Sequence, residues 1–161
     1  MATSRSDVAI YRLATVADGA ALAELRWLLK TDEGREAGAE GRAELAARYQ
    51  AHLEREDATR YWVAADETGL IGVATLRLAA KEPAPQRPND AIGYLTNVYV
   101  RPEFRNGGIG TGLLKRLIAD ARETETELLI VWPSERSRTM YHRLGFSGSS
   151  DPLELILRDD G

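Results

Sequence analysis

The sequence predicts an α/β (α+β) fold: a mixed, mostly antiparallel sheet carrying about four helices. Three observations support this. Several short apolar runs bounded by turn residues read as strands, while other segments repeat apolar residues at helical spacing. Residues 91 to 132 read as strand, helix and strand in succession, a unit that closes as a right-handed parallel crossover. The remaining strands follow one another through short turns and read as hairpins, so the sheet is mixed. A chain of 161 residues is long enough to bury a core without staples and is expected to form one domain over 1–161.

The elements follow in order. Val8 to Leu13 reads as the first strand. Thr15, with Asp18 three residues on, resembles a helix start. Leu22, Leu25 and Leu29 then share one helical face. Gly34, Gly38 and Gly41 interrupt the chain before Leu45, Tyr49 and Leu53 mark a second helix. Tyr61 to Asp66 and Leu70 to Ala80 are strands joined by a turn at Glu67-Thr68-Gly69. Lys81 to Asp90, with Pro83, Pro85 and Pro88, is a connecting loop, and Ala91 to Val100 is the next strand. Leu113, Leu114, Leu117, Ile118 and Ala121 stripe a strong helix, with Lys115, Arg116, Asp120 and Arg122 elsewhere on its surface. Leu128 to Trp132 is apolar on both faces, as a strand between layers would be. A short helix through Tyr141 stops at Gly145, and Leu153, Leu155 and Leu157 alternate in a last strand.

Composition excludes several functions. The chain has no cysteine, which removes disulfides, thiol nucleophiles, zinc fingers and iron–sulfur clusters. Its two histidines, His52 and His142, cannot form an HExxH site, so no metal is expected. The net charge of −4 argues against general nucleic-acid binding. No apolar run approaches the roughly 18 residues of a membrane span, and Met1 to Ile10 lacks the apolar stretch of a secretory signal. A cytoplasmic location without membrane or nucleic-acid partners is therefore expected.

The most informative stretch is Val98-Tyr99-Val100-Arg101-Pro102-Glu103-Phe104-Arg105-Asn106-Gly107-Gly108-Ile109-Gly110-Thr111-Gly112, which joins a strand to a helix start. The first turn of a helix presents amides with no internal acceptor at the positive end of its dipole. Glycine removes the Cβ atoms that would hold an anion away, so the loop is a ready phosphate cradle. Two familiar cradles fail on spacing. A G-x-G-x-x-G register from Gly108 meets Leu113 at its last glycine, and one from Gly107 meets Ile109 at its third position. A P-loop from Gly107 reaches Gly112 but then needs lysine and finds Leu113.

Arg105-x-x-Gly108-x-Gly110 does match [QR]-x-x-G-x-[GA], and here the sequence resembles the GNAT superfamily of acetyl-CoA-dependent N-acetyltransferases. Trp132 to Phe146 resembles that family's second signature, a helix ending in Y-x-x-x-G-F. The two signatures cover about residues 92 to 146. The resemblance implies a six- to seven-stranded sheet splayed between strands 4 and 5, with acetyl-CoA in the gap as co-substrate. It implies that backbone amides of Arg105, Asn106, Gly107, Gly108, Ile109, Gly110 and Thr111 hold the coenzyme A diphosphate. The Val98-Tyr99-Val100 segment would contact the cofactor, with main-chain groups of Val98 and Val100 pairing with the pantetheine arm like an added strand. The Val98 N–H would polarise the acetyl carbonyl, and Tyr141 would protonate the departing sulfur. The acceptor would be a primary amine on a small molecule or peptide.

The chain departs from the family at two places. Some members carry a glutamate base four residues before the position of Val98, where this chain has Tyr94, and neighbouring Thr96 and Asn97 are not bases near neutral pH. The proton then leaves through water or through a carboxylate from elsewhere, with Asp32, Glu33 and Glu36 as candidates. That acidic cluster would favour a cationic acceptor. Ser134 stands where many members have asparagine and reads as a helix N-cap. His142 points about 100° away from Tyr141 on the helix and reads as a surface residue; His52 reads as a packing residue. Trp27 and Trp62 read as core residues that could also line the acceptor pocket, which the first two helices and the Lys81–Asp90 loop would shape. The last strand could pair across a two-fold axis to make a homodimer. A non-catalytic acyl-CoA-binding or regulatory module on the same fold is the alternative reading, with a nucleotide-binding protein a distant third.

Overall fold

The computed structural model describes residues 8–32, 41–55, 58–85 and 91–148. Among them the elements run β1 (Ile10–Leu13), α1 (Gly19–Asp32), α2 (Arg42–Leu53), β2 (Thr59–Asp66), β3 (Gly69–Ala80), β4 (Ala91–Val100), α3 (Ile109–Glu123), β5 (Thr126–Val131) and α4 (Glu135–Arg143), with single 3-10 turns at Val16–Asp18 and Pro102–Phe104. The strands form one sheet in chain order β1-β2-β3-β4-β5. Every pairing is antiparallel except β4 with β5, which the α3 crossover makes parallel.

This is the expected mixed α+β architecture, with five strands among the described residues instead of six to seven. The predicted last strand, Leu153 to Arg158, and the two-fold pairing that rested on it lie outside the described residues.

Two apolar layers sandwich the sheet at β2, β3 and β4, whereas the stretch Leu128 to Trp132, expected to lie between layers, is not buried, with Leu128 43% and Trp132 53% exposed. On one face the stripe of α3 (Leu113, Leu114, Leu117 and Ala121) packs on Ala74, Leu76 and Leu95, with Tyr141 from α4 joining the cluster. On the other face Leu22 and Leu25 of α1 pack on Val63, Val73 and Tyr99. Burying a leucine fully contributes roughly 1.5–3 kcal/mol, so each layer holds the sheet by several such side chains. Close approach needs glycine at Gly93, where an added Cβ would lie 2.5 Å from the Leu129 side chain and 2.8 Å from that of Leu76.

One reading of the helix surface needs correction. Asp120 was expected outside, yet it is buried. Arg60 of β2 grips it with two hydrogen bonds of 2.6 and 2.7 Å, and Trp62 Nε1 donates a third at 3.0 Å. A buried carboxylate is tolerated only with such partners. Trp62 is thereby placed on the α3 face as a packing residue, while Trp27 lies between the first two helices under the Arg42 guanidinium. The expected packing role of His52 also holds, since its ring stands edge-on to Tyr61.

β4 contains a bulge. Val73 pairs with Tyr99, but Thr75 pairs with Thr96, so Asn97 and Val98 together oppose Ala74. Asn97 takes the left-handed conformation that this extra residue requires, at φ 50°. The insertion reverses which side of the sheet each later residue faces. Tyr99 therefore enters the α1 layer, while Val98 and Val100 pack with the α3 layer.

Candidate active site

Ladder pairing between β4 and β5 runs from Ala91 opposite Thr126 to Leu95 opposite Val131 and then stops. Leu95 faces Val131, the last residue of β5, so beyond it β4 keeps β3 as its one strand neighbour among the described residues. The Arg101 N–H donates to Ile71 O at 2.9 Å. The carbonyl of the same peptide unit, that of Val100, therefore points away from β3 into the gap. Main-chain direction alternates along a strand, so Tyr99 turns its own main-chain groups toward Val73. Of the segment expected to contact a ligand, Tyr99 is thus the residue turned away, with its ring buried.

The loop after β4 is fastened by two arginines. Arg101 Nε donates to Leu70 O at 2.9 Å, and its Nη2 lies 3.4 Å from Glu24 Oε1. Arg105 Nε donates to Val100 O at 2.9 Å, its Nη2 meets Asp32 Oδ2 at 2.5 Å, and its guanidinium lies 5.3 Å from the centre of the Tyr99 ring. The Arg105 side chain is thus committed to holding the loop, which leaves its backbone as the part that can face a ligand. Asp32, a candidate base on sequence grounds, is tied up in that ion pair and is not a free base. Glu33 and Glu36 lie outside the described residues.

Asn106 and Gly108 both adopt left-handed backbone, at φ 61° and 84°, which swings the chain into α3. Gly108 is the N-cap, and no side chain closes the helix start. The first amide bonded inside the helix is that of Gly112, to Gly108 O at 2.9 Å. The amides of Ile109, Gly110 and Thr111 precede it at the positive end of the dipole, an arrangement suited to an anion. A Cβ on Gly110 would lie 3.4 Å from Met140 Sδ, so the start of α3 sits against α4.

α4 carries Tyr141, which is 5% exposed. Its ring stands edge-on to Phe146, with centroids 5.3 Å apart. Burial pushes its phenol up to about 12, and among the described residues its hydroxyl has no hydrogen-bond partner. Tyr141 shares one apolar cluster with Val98, Val100, Ile109 and Met140. The fold thus gathers into one region residues that the sequence separates by more than forty positions. His142, next in the chain, is exposed and its Nδ1 lies 3.0 Å from Phe146 O. Ser134 holds the N-cap position of α4, but its hydroxyl pairs with Ser137 Oγ at 2.9 Å and caps no amide.

The opposite face of the bulge is polar. Arg26 of α1 donates to Asn97 Oδ1 at 3.3 Å, and Asn97 Nδ2 donates to Thr75 Oγ1 at 3.4 Å. Burial raises the Tyr49 phenol nearby, with the Arg26 charge opposing that shift. Tyr94, at the position where a glutamate base was looked for, is 40% exposed and stands edge-on to Trp132. Sequence reasoning did not find the Arg26–Asn97 contact. The two residues lie 71 positions apart, and asparagine's tolerance of left-handed backbone was the one available hint. Among the described residues no group of three or more His, Asp or Glu is placed to hold a metal ion, and no helix is long and apolar enough to cross a membrane.

Comparison with known proteins gives the same picture. The chain is similar to the crystal structure of a predicted acetyltransferase with acetyl-CoA from Clostridium acetobutylicum, with TM-score 0.76 and 29% identity over 92% of this chain and 96% of that one. It is also similar to an acetyltransferase of Trypanosoma brucei, with TM-score 0.72 and 26% identity over 92% of this chain and 99% of that one. A curated relative, glucosamine 6-phosphate N-acetyltransferase of Trypanosoma brucei brucei, is 30% identical over 88 residues, which are 55% of this chain and 58% of the relative's length. The family model for Acetyltransferase (GNAT) matches residues 22–146, from α1 to the residue after the Gly145 turn, and the chain belongs to that family.

Proposed function

We propose that the protein transfers the acetyl group of acetyl-CoA to a primary amine by direct attack in a ternary complex. The observation that carries this reading is the open, glycine-capped start of α3 beside the stretch of β4 that has lost its β5 partner. Backbone amides from Arg105 to Thr111 would hold the diphosphate. The Val100 main chain and, by the same alternation, that of Val98 would pair with the pantetheine arm.

The chemistry follows from the groups present. An alkylamine of pKa near 10.4 must lose a proton, which costs about 3.4 units at neutral pH, or roughly 4–5 kcal/mol. With Asp32 engaged by Arg105 and Tyr94 in place of a carboxylate, that proton leaves through water or through Glu33 or Glu36. The nitrogen lone pair then forms the N–C bond at the thioester carbon. Charge develops on the carbonyl oxygen, where the Val98 N–H would donate; one such donor contributes about 3–4 kcal/mol in acyl transfer. The C–S bond breaks and the electron pair leaves on sulfur, while the extra proton on the new N–C nitrogen passes through water to the thiolate or to solvent.

Tyr141 is the donor to that sulfur. A phenol raised to about 12 stays protonated at every working pH. Full transfer of its proton to a free thiolate of pKa about 8.5 would be uphill by roughly 3.5 units, or ~5 kcal/mol. Its contribution is therefore greatest as a hydrogen bond while the C–S bond is breaking.

Calorimetry tests the binding half of the reading: acetyl-CoA should saturate the protein, and CoA should compete where ATP and NAD do not. A thiol-release assay across amines, amino acids, polyamines and peptides tests the transfer, and an amino-sugar phosphate belongs in that screen because the curated relative is named for one. The missing carboxylate at Tyr94 favours one second reading, a module that binds acyl-CoA without turnover. Tight CoA binding with no turnover on any acceptor would support that reading instead.

A further inference from the structure

α1 bears two carboxylates that reach the loop after β4, and each has an arginine: Glu24 meets Arg101 and Asp32 meets Arg105. Arg26, on the same helix, is half-buried and has no carboxylate partner among the described residues. Its guanidinium donates to the neutral side-chain oxygen of Asn97, the residue immediately before Val98, and its charge acts on the nearby Tyr49 phenol. Guanidinium carries five donors, and a half-buried cation without an opposing charge is a standing cost in the free protein. Two residues beyond Thr75 on the same face of β3, Arg77 is exposed and also lacks an ion pair among the described residues. This face of the bulge is thus cationic, against the sequence expectation of a cationic acceptor.

We infer that Arg26, held by Asn97 and assisted by Arg77, binds an anionic group, carboxylate or phosphate, on the acceptor amine. This rests on the acetyl-transfer reading above and names the acceptor class for it. Arg26 meets the side chain next to Val98 in the chain, so the anion is bound beside the bulge where the acetyl carbonyl would be polarised. Arg26 thereby sets acceptor specificity through the end of the molecule that does not react.

The test uses the whole chain loaded with CoA and titrated calorimetrically with two matched pairs, glucosamine against glucosamine 6-phosphate and phenethylamine against phenylalanine. In at least one pair the member that carries the phosphate or carboxylate should bind about 10- to 100-fold tighter than the member that lacks it, as charge-assisted hydrogen bonds give. The pair that shows the preference identifies phosphate or carboxylate as the group. Arg26→Gln should bring that ratio to within threefold of one, and Arg26→Lys should retain part of it, with acetyl-CoA affinity unchanged in both and the thermal midpoint of Arg26→Gln no lower than that of the wild type. In turnover the loss should fall on the acceptor KM more than on kcat. Equal binding within both pairs by a protein that binds acetyl-CoA overturns the inference and leaves the proposed function standing, as does a preference that survives Arg26→Gln. A wild-type protein that fails to bind acetyl-CoA would bring down the proposed function itself, and this inference with it.

Discussion

The molecule starts two helices in opposite ways. Ahead of α1, Asp18 closes the chain: its carboxylate accepts the Thr15 N–H at 2.7 Å and two bonds from Arg12 at 2.7 and 2.9 Å. Ahead of α3, Gly108 offers no side chain, and three amides are left in front of the first helical bond. Both ends carry the same partial positive charge, because both come from the same backbone dipoles. In the first the protein sets its own carboxylate, paired with Arg12, in the capping turn that leads into the helix, and in the second it leaves the start open. A helix start becomes a binding site through what the sequence withholds from it, and one capping carboxylate is enough to make it structural.

The comparison can be broken or sharpened experimentally. The largest effect is expected where the open start meets the chemistry. Tyr141→Phe should lower kcat about 100-fold, the low end of what a positioned proton donor contributes, while acetyl-CoA affinity stays within twofold. An unchanged kcat would remove Tyr141 from the mechanism. Next comes a direct conversion of one start into the other. Thr111→Asp places a carboxylate in the first turn of α3, where it should favour the helix by about 0.3–1 kcal/mol and weaken acetyl-CoA binding roughly 10- to 100-fold by repelling its phosphates. Stability and affinity should thus move in opposite directions, and parallel movement in thermal melts and calorimetry would break the comparison.

The reverse change is smaller. Asp18→Ala should cost about 1 kcal/mol, the usual loss of a cap, and lower the thermal midpoint by about 2–4 °C, with acetyl-CoA affinity unaltered. Because the Arg12 side chain is 40% exposed, the ion pair adds little beyond the cap. The smallest effect is one of pH. Hydrogen bonding from Arg12 holds the Asp18 carboxyl below its usual range, with burial opposing. Its contribution is present above the unfolded carboxylate value near ~3.9 and is lost as pH falls through the folded value. The stability gap between wild type and Asp18→Asn should therefore be constant from neutral pH down to about 5 and narrow below that. A gap that widened with acid would have the wrong sign.

The sequence made the element order and the glycine loop legible, because periodicity and turn chemistry are local. Leu113, Leu114 and Leu117 define the stripe of α3 wherever that helix sits, and Gly108 allows positive φ whatever surrounds it. The strand–helix–strand unit likewise required β4 and β5 to be parallel. Tertiary structure decided which groups are occupied. Asp32, one of three candidate bases on sequence grounds, is bound to Arg105. Asp120 read as a surface residue and is the buried partner of Arg60 and Trp62.

The bulge at Asn97 was equally hidden, since register depends on the partner strand. It alone turns Tyr99 to one side of the sheet and Val98 and Val100 to the other. Spacing along a chain fixes which backbone groups a residue can offer. Whether a charge is spent or available depends on the side chain that meets it, and for Arg26 and Asn97 that neighbour lies 71 residues away, beyond the reach of any local pattern.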